Sequence, residues 1–152
     1  MPKPRPAVVR MAPYSPPSSG RAGKLRLDFN ENTTGCSPRV LAFLQQKLTE
    51  EQLTIYPEYE ATRAALSDYF QIPQDQFLIT NGTDEAIQVL INTYVDNHDD
   101  VLVMHPSYAM YKFYAEVAGA DVRELSFRRE DLSFPVAKLI SKIRPKTKAI
   151  LI

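Results

Sequence analysis

The segment Phe77-Leu-Ile-Thr-Asn-Gly-Thr-Asp-Glu85 holds the residue types and spacing best suited to chemistry. A short apolar run stops at Thr80, a polar turn Asn81-Gly82-Thr83 follows, and acids at Asp84 and Glu85 open an amphipathic stretch. That order predicts a strand, a glycine turn and a helix N-terminus in immediate succession. The first turn of a helix carries backbone N–H groups with no partner inside the helix, and a partial positive charge. A phosphate docked there finds donors without needing many basic side chains. Gly82 lets the backbone approach an anion closely, and the Thr83 hydroxyl offers a further hydrogen bond. The same residues also read as an ordinary helix start, capped by Asn81 or Thr83, with Asp84 and Glu85 favouring the helix dipole.

The elements around this turn follow from periodicity. Ser37-Pro38 is a helix start, and Val40, Phe43, Leu44 and Leu48 form one helical stripe after it. A second helix is expected from about Glu58 to Phe70, burying Ala61, Ala64, Ala65 and Tyr69. Beyond the turn, Ile87, Leu90, Ile91, Tyr94 and Val95 give a helical face, and Val101 to Met104 reads as a buried strand. Tyr111, Tyr114, Ala115 and Ala118 mark a helix stopped by Gly119. Val122 to Phe127 reads as a strand, Val136, Leu139, Ile140 and Ile143 as a helix, and Ala149 to Ile152 as a strand again. Strands alternating with helices predict an α/β fold with right-handed crossovers and a mainly parallel sheet.

The 152 residues suffice for one ordinary domain with a real core. Formal charge balances at zero, which gives no electrostatic case for nucleic acid or an acidic membrane as partner. The single cysteine, Cys36, rules out an internal disulfide framework, suits a reducing compartment and packs as a small apolar residue. No apolar run approaches the roughly 20 residues that span a bilayer. Residues 1–26 carry Lys3, Arg5, Arg10, Arg21, Lys24 and Arg26 and no acid, and half of the 12 prolines fall between Pro2 and Pro17. Proline fixes φ and removes a donor, so this stretch is expected to be an extended arm rather than a regular helix or central strand. At the other end, Ile152 stops within an apolar strand pattern, so the chain is expected to be the first part of a larger protein. His98 lies in a polar turn and reads as exposed; His105 precedes Pro106 and reads as structural. Two distant histidines and one cysteine make no metal set.

Several segments together resemble the N-terminal part of the histidinol-phosphate aminotransferases, fold-type I enzymes that use pyridoxal 5'-phosphate (PLP). Leu27-Asp-Phe-Asn-Glu-Asn-Thr-Thr-Gly-Cys-Ser-Pro38 is similar to the family's L-x-x-N-E-N-P-x-G-x-S-P. Tyr56-Pro57-Glu58 resembles its Y-P-D/E step, and Asn81-Gly82-Thr83-Asp84-Glu85 its N-G-S/A-D-E phosphate turn. Pro106-Ser107-Tyr108-Ala109-Met110-Tyr111 resembles its P-T-Y-x-M-Y, and Ala118-Gly119-Ala120 before a strand also fits. Order and spacing agree over roughly residues 8 to 152. One departure is Thr33, where the family usually has proline.

The resemblance implies a division into an arm at 1–26, an entrance loop and small-domain helix at 27–55, and the first part of the PLP-binding large domain at 56–152. It implies that Gly82, Thr83 and Asp84 cradle the cofactor phosphate and that Tyr108 stacks on the pyridine ring. It gives Tyr56 to the cofactor phosphate of a neighbouring subunit, hence a homodimer when the protein is full length. It places Asn30 and Glu31 where substrate is read, with Glu31 able to accept a hydrogen bond from an imidazole. The implied reaction exchanges an amino group between histidinol phosphate and 2-oxoglutarate, or between glutamate and imidazole acetol phosphate, in histidine biosynthesis and in the cytoplasm. Alternatives are a threonine-phosphate decarboxylase, an aromatic aminotransferase, or a non-enzymatic phosphate-binding α/β module. The family's Schiff-base lysine lies beyond Ile152, and Lys112, Lys138 and Lys148 match no such motif. This chain alone is therefore expected to be inactive, with no catalytic residue of its own.

Overall fold

The computed structural model describes residues 2–13, 15 and 19–152. In chain order the helices are α1 (Pro6–Arg10), α2 (Pro38–Lys47), α3 (Glu50–Thr54), α4 (Glu60–Phe70), α5 (Gly82–Tyr94), α6 (Ala109–Ala118) and α7 (Val136–Lys142). The strands are β1 (Asp100–His105), β2 (Asp121–Ser126) and β3 (Thr147–Leu151). They divide into two compact units, Met1–Pro13 with Leu78–Ile152, and Tyr14–Phe77.

The first unit is built on β1. Val101, Leu102, Val103 and Met104 are all buried, the near-continuous apolar run expected of a parallel strand covered on both faces. β2 and β3 pair with it on either side, both parallel, giving the order β2-β1-β3. The chain thus steps from β1 to one side, then returns across β1 to the other. Right-handed crossovers in opposite directions put their helices on opposite faces, and the core is divided accordingly. On one face Val101 and Val103 pack with Ile87 and Ile91 of α5, Val95, and Met110 and Ala115 of α6. On the other, Leu102 and Met104 pack with Leu125 and Leu139 of α7. Ile91 is 2% exposed. Burial of one such side chain is worth about 1.5–3 kcal/mol.

A polar fastening lies at the amino edge of the sheet. Asp100, 1% exposed, accepts hydrogen bonds from Arg123 of β2 and from the Thr147 hydroxyl of β3. Arg123 also donates to the carbonyl of Lys142 at 2.8 Å, which ties in the end of α7. The Arg123 guanidinium holds the Asp100 carboxyl down at about 2 against the desolvation that opposes ionisation, and Thr147 adds to the effect. At the helix end, Gly119 has φ of 89° and caps α6; an added Cβ there would strike the Asn97 side chain.

Three expectations need correction. The proline-rich start is not wholly extended: α1 forms at Pro6–Arg10, with Pro6 in the first helical turn. Proline is tolerated there because its missing N–H would have no helical partner anyway. Ala7 is buried and Arg5 donates to the Ala118 carbonyl at 3.3 Å. Second, residues 77–80 form no strand, since none of the three strands lies alongside to complete a ladder. Third, the apolar stripes of the Tyr14–Phe77 unit are not core. The α2 stripe of Val40, Phe43, Leu44 and Leu48 is exposed, as are Ala61, Ala65 and Tyr69 on α4, while Ala64 is half-buried. An amphipathic helix buries its face only against another layer, and the described residues of this unit supply short helices and no sheet. Smaller departures are that Leu90, Tyr94, Val136, Ile140 and Ile143 are exposed although their helices form, and that Cys36, expected to pack as a small apolar residue, is exposed.

Candidate functional site: the N-terminus of α5 and the turn after β1

A five-residue connection, Val95 to Asp99, joins α5 to β1. It folds the helix back against the strand, so that the start of α5 lies near the carboxyl end of β1. In parallel α/β sheets that end is where ligands bind. The chain leaves β1 through His105, Pro106 and Ser107, and Tyr108 is the N-cap residue of α6. The Tyr108 hydroxyl donates to Asp84 Oδ1 at 2.7 Å, which joins the two segments. The bond brings Tyr108 to Asp84, whose chain neighbours are Thr83 and Gly82.

Gly82 begins α5 with φ of 81°, in the left-handed region where L side chains are strained. A Cβ at this position would meet nothing within 4 Å, so the space in front of the turn is open. The Gly82 N–H is already used, donating to the Thr80 carbonyl at 2.9 Å, and the Thr80 hydroxyl donates to the Gly82 carbonyl at 2.9 Å. The Asn81 N–H goes to the Glu85 carboxylate, and the Asn81 side chain makes no cap hydrogen bond. Thr83 and Asp84 lie in the first turn of α5, where backbone N–H groups lack a partner inside the helix. An open turn, a glycine-only backbone and first-turn N–H groups fit a phosphate monoester. The half-exposed Tyr108 ring also meets Tyr111 edge-on, with centroids 5.9 Å apart.

The other expected residues lie in the Tyr14–Phe77 unit. Asn30 has φ of 54°, a conformation asparagine adopts more readily than most residues. Glu31 is held by two arginines: Arg21 Nη2 donates to it at 2.6 Å, and Arg26 Nε lies 2.6 Å from its other oxygen. Arg21 first, then Arg26, keeps the Glu31 carboxyl below its ordinary range. Tyr56 is 98% exposed, so no described residue covers its ring. Two features escaped the sequence reading. One is the side-chain role of Asp84 as the acceptor that orients Tyr108; no local pattern signals a partner 24 residues away. The other is the Asp100 fastening, for which an acid opening a fully apolar strand was the available signal. Among the described residues no cluster of three or more metal-ligating side chains occurs, and no helix is long and apolar enough to cross a membrane.

A wholly parallel sheet, helices on both faces and a glycine-led helix start at the carboxyl rim define an α/β protein of the class whose ligands bind beyond the strand ends. The family profile described as aminotransferase class I and II matches residues 22–152. The chain belongs to that family. It is 35% identical over 159 aligned positions to a histidinol-phosphate aminotransferase of Symbiobacterium thermophilum, covering 93% of this chain and 44% of that protein. It is 32% identical to the corresponding protein of Clostridium novyi, covering 86% of this chain and 36% of the relative. The chain thus spans less than half the length of these relatives. Among solved structures, alanine aminotransferase from Pyrococcus furiosus aligns with a TM-score of 0.64 at 25% identity, over 74% of this chain and 31% of the other. Histidinol-phosphate aminotransferase from Sinorhizobium meliloti, solved in complex with pyridoxal-5'-phosphate, aligns with a TM-score of 0.61 at 16% identity, over 66% and 28%. The expected fold class, the first part of a fold-type I aminotransferase sheet, is the one observed.

Proposed function

We propose that this chain is the N-terminal part of a PLP-dependent histidinol-phosphate aminotransferase. The observation that carries the reading is the 35% identity across 93% of the chain to a protein of that name. Substrates are histidinol phosphate and 2-oxoglutarate in one direction, imidazole acetol phosphate and glutamate in the other. Thr83 and Asp84, through their first-turn N–H groups, would hold the cofactor phosphate, with Gly82 giving the turn its shape. Tyr108 would contact the cofactor ring, oriented by its hydrogen bond to Asp84. The cofactor supplies the electron sink that amino-group exchange requires. Asn30 and Glu31 would read the substrate, Glu31 as acceptor for an imidazole N–H. Residues 27–55 would then belong to a small domain and 56–152 to the large one, in a cytoplasmic homodimer.

Tyr56 would serve the partner's cofactor. Its exposed ring supports this, as does Pro57, which biases the residue before it toward an extended backbone. The whole protein, loaded with PLP, is expected to form glutamate from histidinol phosphate and 2-oxoglutarate. A clear preference for threonine phosphate or an aromatic amino acid would overturn the substrate assignment. For Tyr56, a mixed dimer pairs a Tyr56→Phe subunit with one lacking the lysine that binds the cofactor. Activity near half of wild type is expected if the tyrosine acts across the interface. The full Tyr56→Phe defect would place it within its own subunit.

A further inference from the structure

Arg21 makes three side-chain hydrogen bonds within the loop that precedes α2. Its Nε donates to Asp28 Oδ2 at 2.9 Å, and its Nη2 donates to Asp28 Oδ1 at 3.0 Å and to Glu31 Oε1 at 2.6 Å. The guanidinium carbon also sits 4.4 Å from the centroid of the Phe29 ring. One planar group thus touches three of the four residues from Asp28 to Glu31, and the fourth, Asn30, has the left-handed backbone that turns the chain between them. Only a guanidinium has the fork to meet two carboxylates and the flat face to lie on a ring; a lysine ammonium is a point charge. The contacts lie at the surface, where single ion pairs add little stability. Their effect is geometric: they fix which way Glu31 points and keep it ionised, as the lowered carboxyls of Asp28 and Glu31 reflect. An ionised carboxylate has about four acceptor positions. Arg21 takes one of these positions on Oε1, and Arg26 stands against Oε2 as an ion pair without a hydrogen bond from its Nε, so Glu31 keeps acceptor room for a further N–H.

We infer that Arg21 is a positioning residue that locks the Asp28–Glu31 turn and presents the anionic Glu31 to an N–H donor on the substrate. The inference rests on the reading of Glu31 as a substrate contact given above. Arg21 itself touches neither substrate nor cofactor. It therefore bears on recognition of the heteroaromatic substrate and not on the amino-group exchange.

The test uses the whole PLP-loaded protein, with kcat and KM measured separately for histidinol phosphate and for glutamate. Variants are Arg21→Gln, Arg21→Lys, Glu31→Gln and the double Arg21→Gln/Glu31→Gln. Arg21→Gln is expected to raise KM for histidinol phosphate about tenfold, while kcat and the KM for glutamate stay within about twofold. Arg21→Lys, which keeps the charge but loses the fork, should recover only part of that loss and serves as the test if Arg21→Gln does not fold. The double variant should be no worse than Glu31→Gln, since both act on one contact. An unchanged KM, an equal rise for both substrates, or additive losses in the double variant would each overturn the inference. A wild type with no activity on histidinol phosphate would remove the functional reading and this inference with it. An active wild type matched by Arg21→Gln would remove the inference alone.

Discussion

Val101 to Met104 and the α2 stripe of Val40, Phe43, Leu44 and Leu48 are both groups of four apolar residues at the spacing their elements require, yet the first group is buried throughout and the second is exposed throughout. β1 has a strand on each side and helices on each face. α2 has neither within its unit. Periodicity decides which element forms; burial is decided by what stands opposite. The sheet-bearing unit accordingly carries both the core and the rim where α5 begins, whereas Tyr14–Phe77 carries loops, short helices and exposed aromatic rings.

The sharpest way to break this contrast is a pair of truncations. Ile91→Ala should cost about 4 kcal/mol, as for a fully buried branched side chain, whereas Leu44→Ala should cost under about 0.5 kcal/mol. Urea denaturation of this chain measures both, and equal losses would mean that α2 is packed in solution. Removing the Asp100 carboxylate comes next. Asp100→Ala should cost about 3 kcal/mol, because it leaves Arg123 and Thr147 facing a vacated site. The same group makes stability depend on acid. Its folded carboxyl is held at about 2, below the ordinary 3.8. The contribution is therefore present in full above the unfolded value and is lost as pH falls from about 4 to about 2, amounting to about 2 kcal/mol. Denaturation midpoints across that range should fall in the wild type, and Asp100→Asn should remove this part of the slope. The smallest effect concerns the rim. Tyr108→Phe deletes one hydrogen bond to Asp84 and should weaken PLP retention by about 1 kcal/mol in the whole protein, read by absorbance titration. An unchanged affinity would show that Asp84 does not act through Tyr108.

Much of the sheet-bearing unit could be read from the sequence because its signals are local and agree. The apolar run at Val101, the Gly119 stop and the Gly82 turn are each signalled by neighbouring residues, and the strand, the helix end and the helix start form there. The turn at Gly82 was legible for the same reason: the residue sits at φ of 81°, where a glycine is called for. The short helix α3 was legible too and passed over; Thr49 and Gln52 form a reciprocal capping box, whose signature is Thr49-Glu-Glu-Gln52. What could not be read was set by distant partners. The lack of a ladder for residues 77–80 depends on where other strands run. The Tyr108–Asp84 bond and the grip of Arg21 on Asp28 and Glu31 depend on how the chain folds back, which no window of neighbouring residues encodes.

The Asp100 fastening stands at the start of β1, and the turn that leads to Tyr108 leaves from its end. Six residues of strand separate the two. At about 3.3 Å per residue, that distance exceeds the range over which substitutions usually interact. Substitutions at Thr83, Asp84 and Ser107 should thus leave the melting temperature nearly untouched. Changes at Asp100, Arg123 or Thr147 should move melting temperature and leave substrate preference alone. The strand works as an insulator: what holds the amino edge together is separated from the rim where α5 begins, so either end should accept change without unsettling the other.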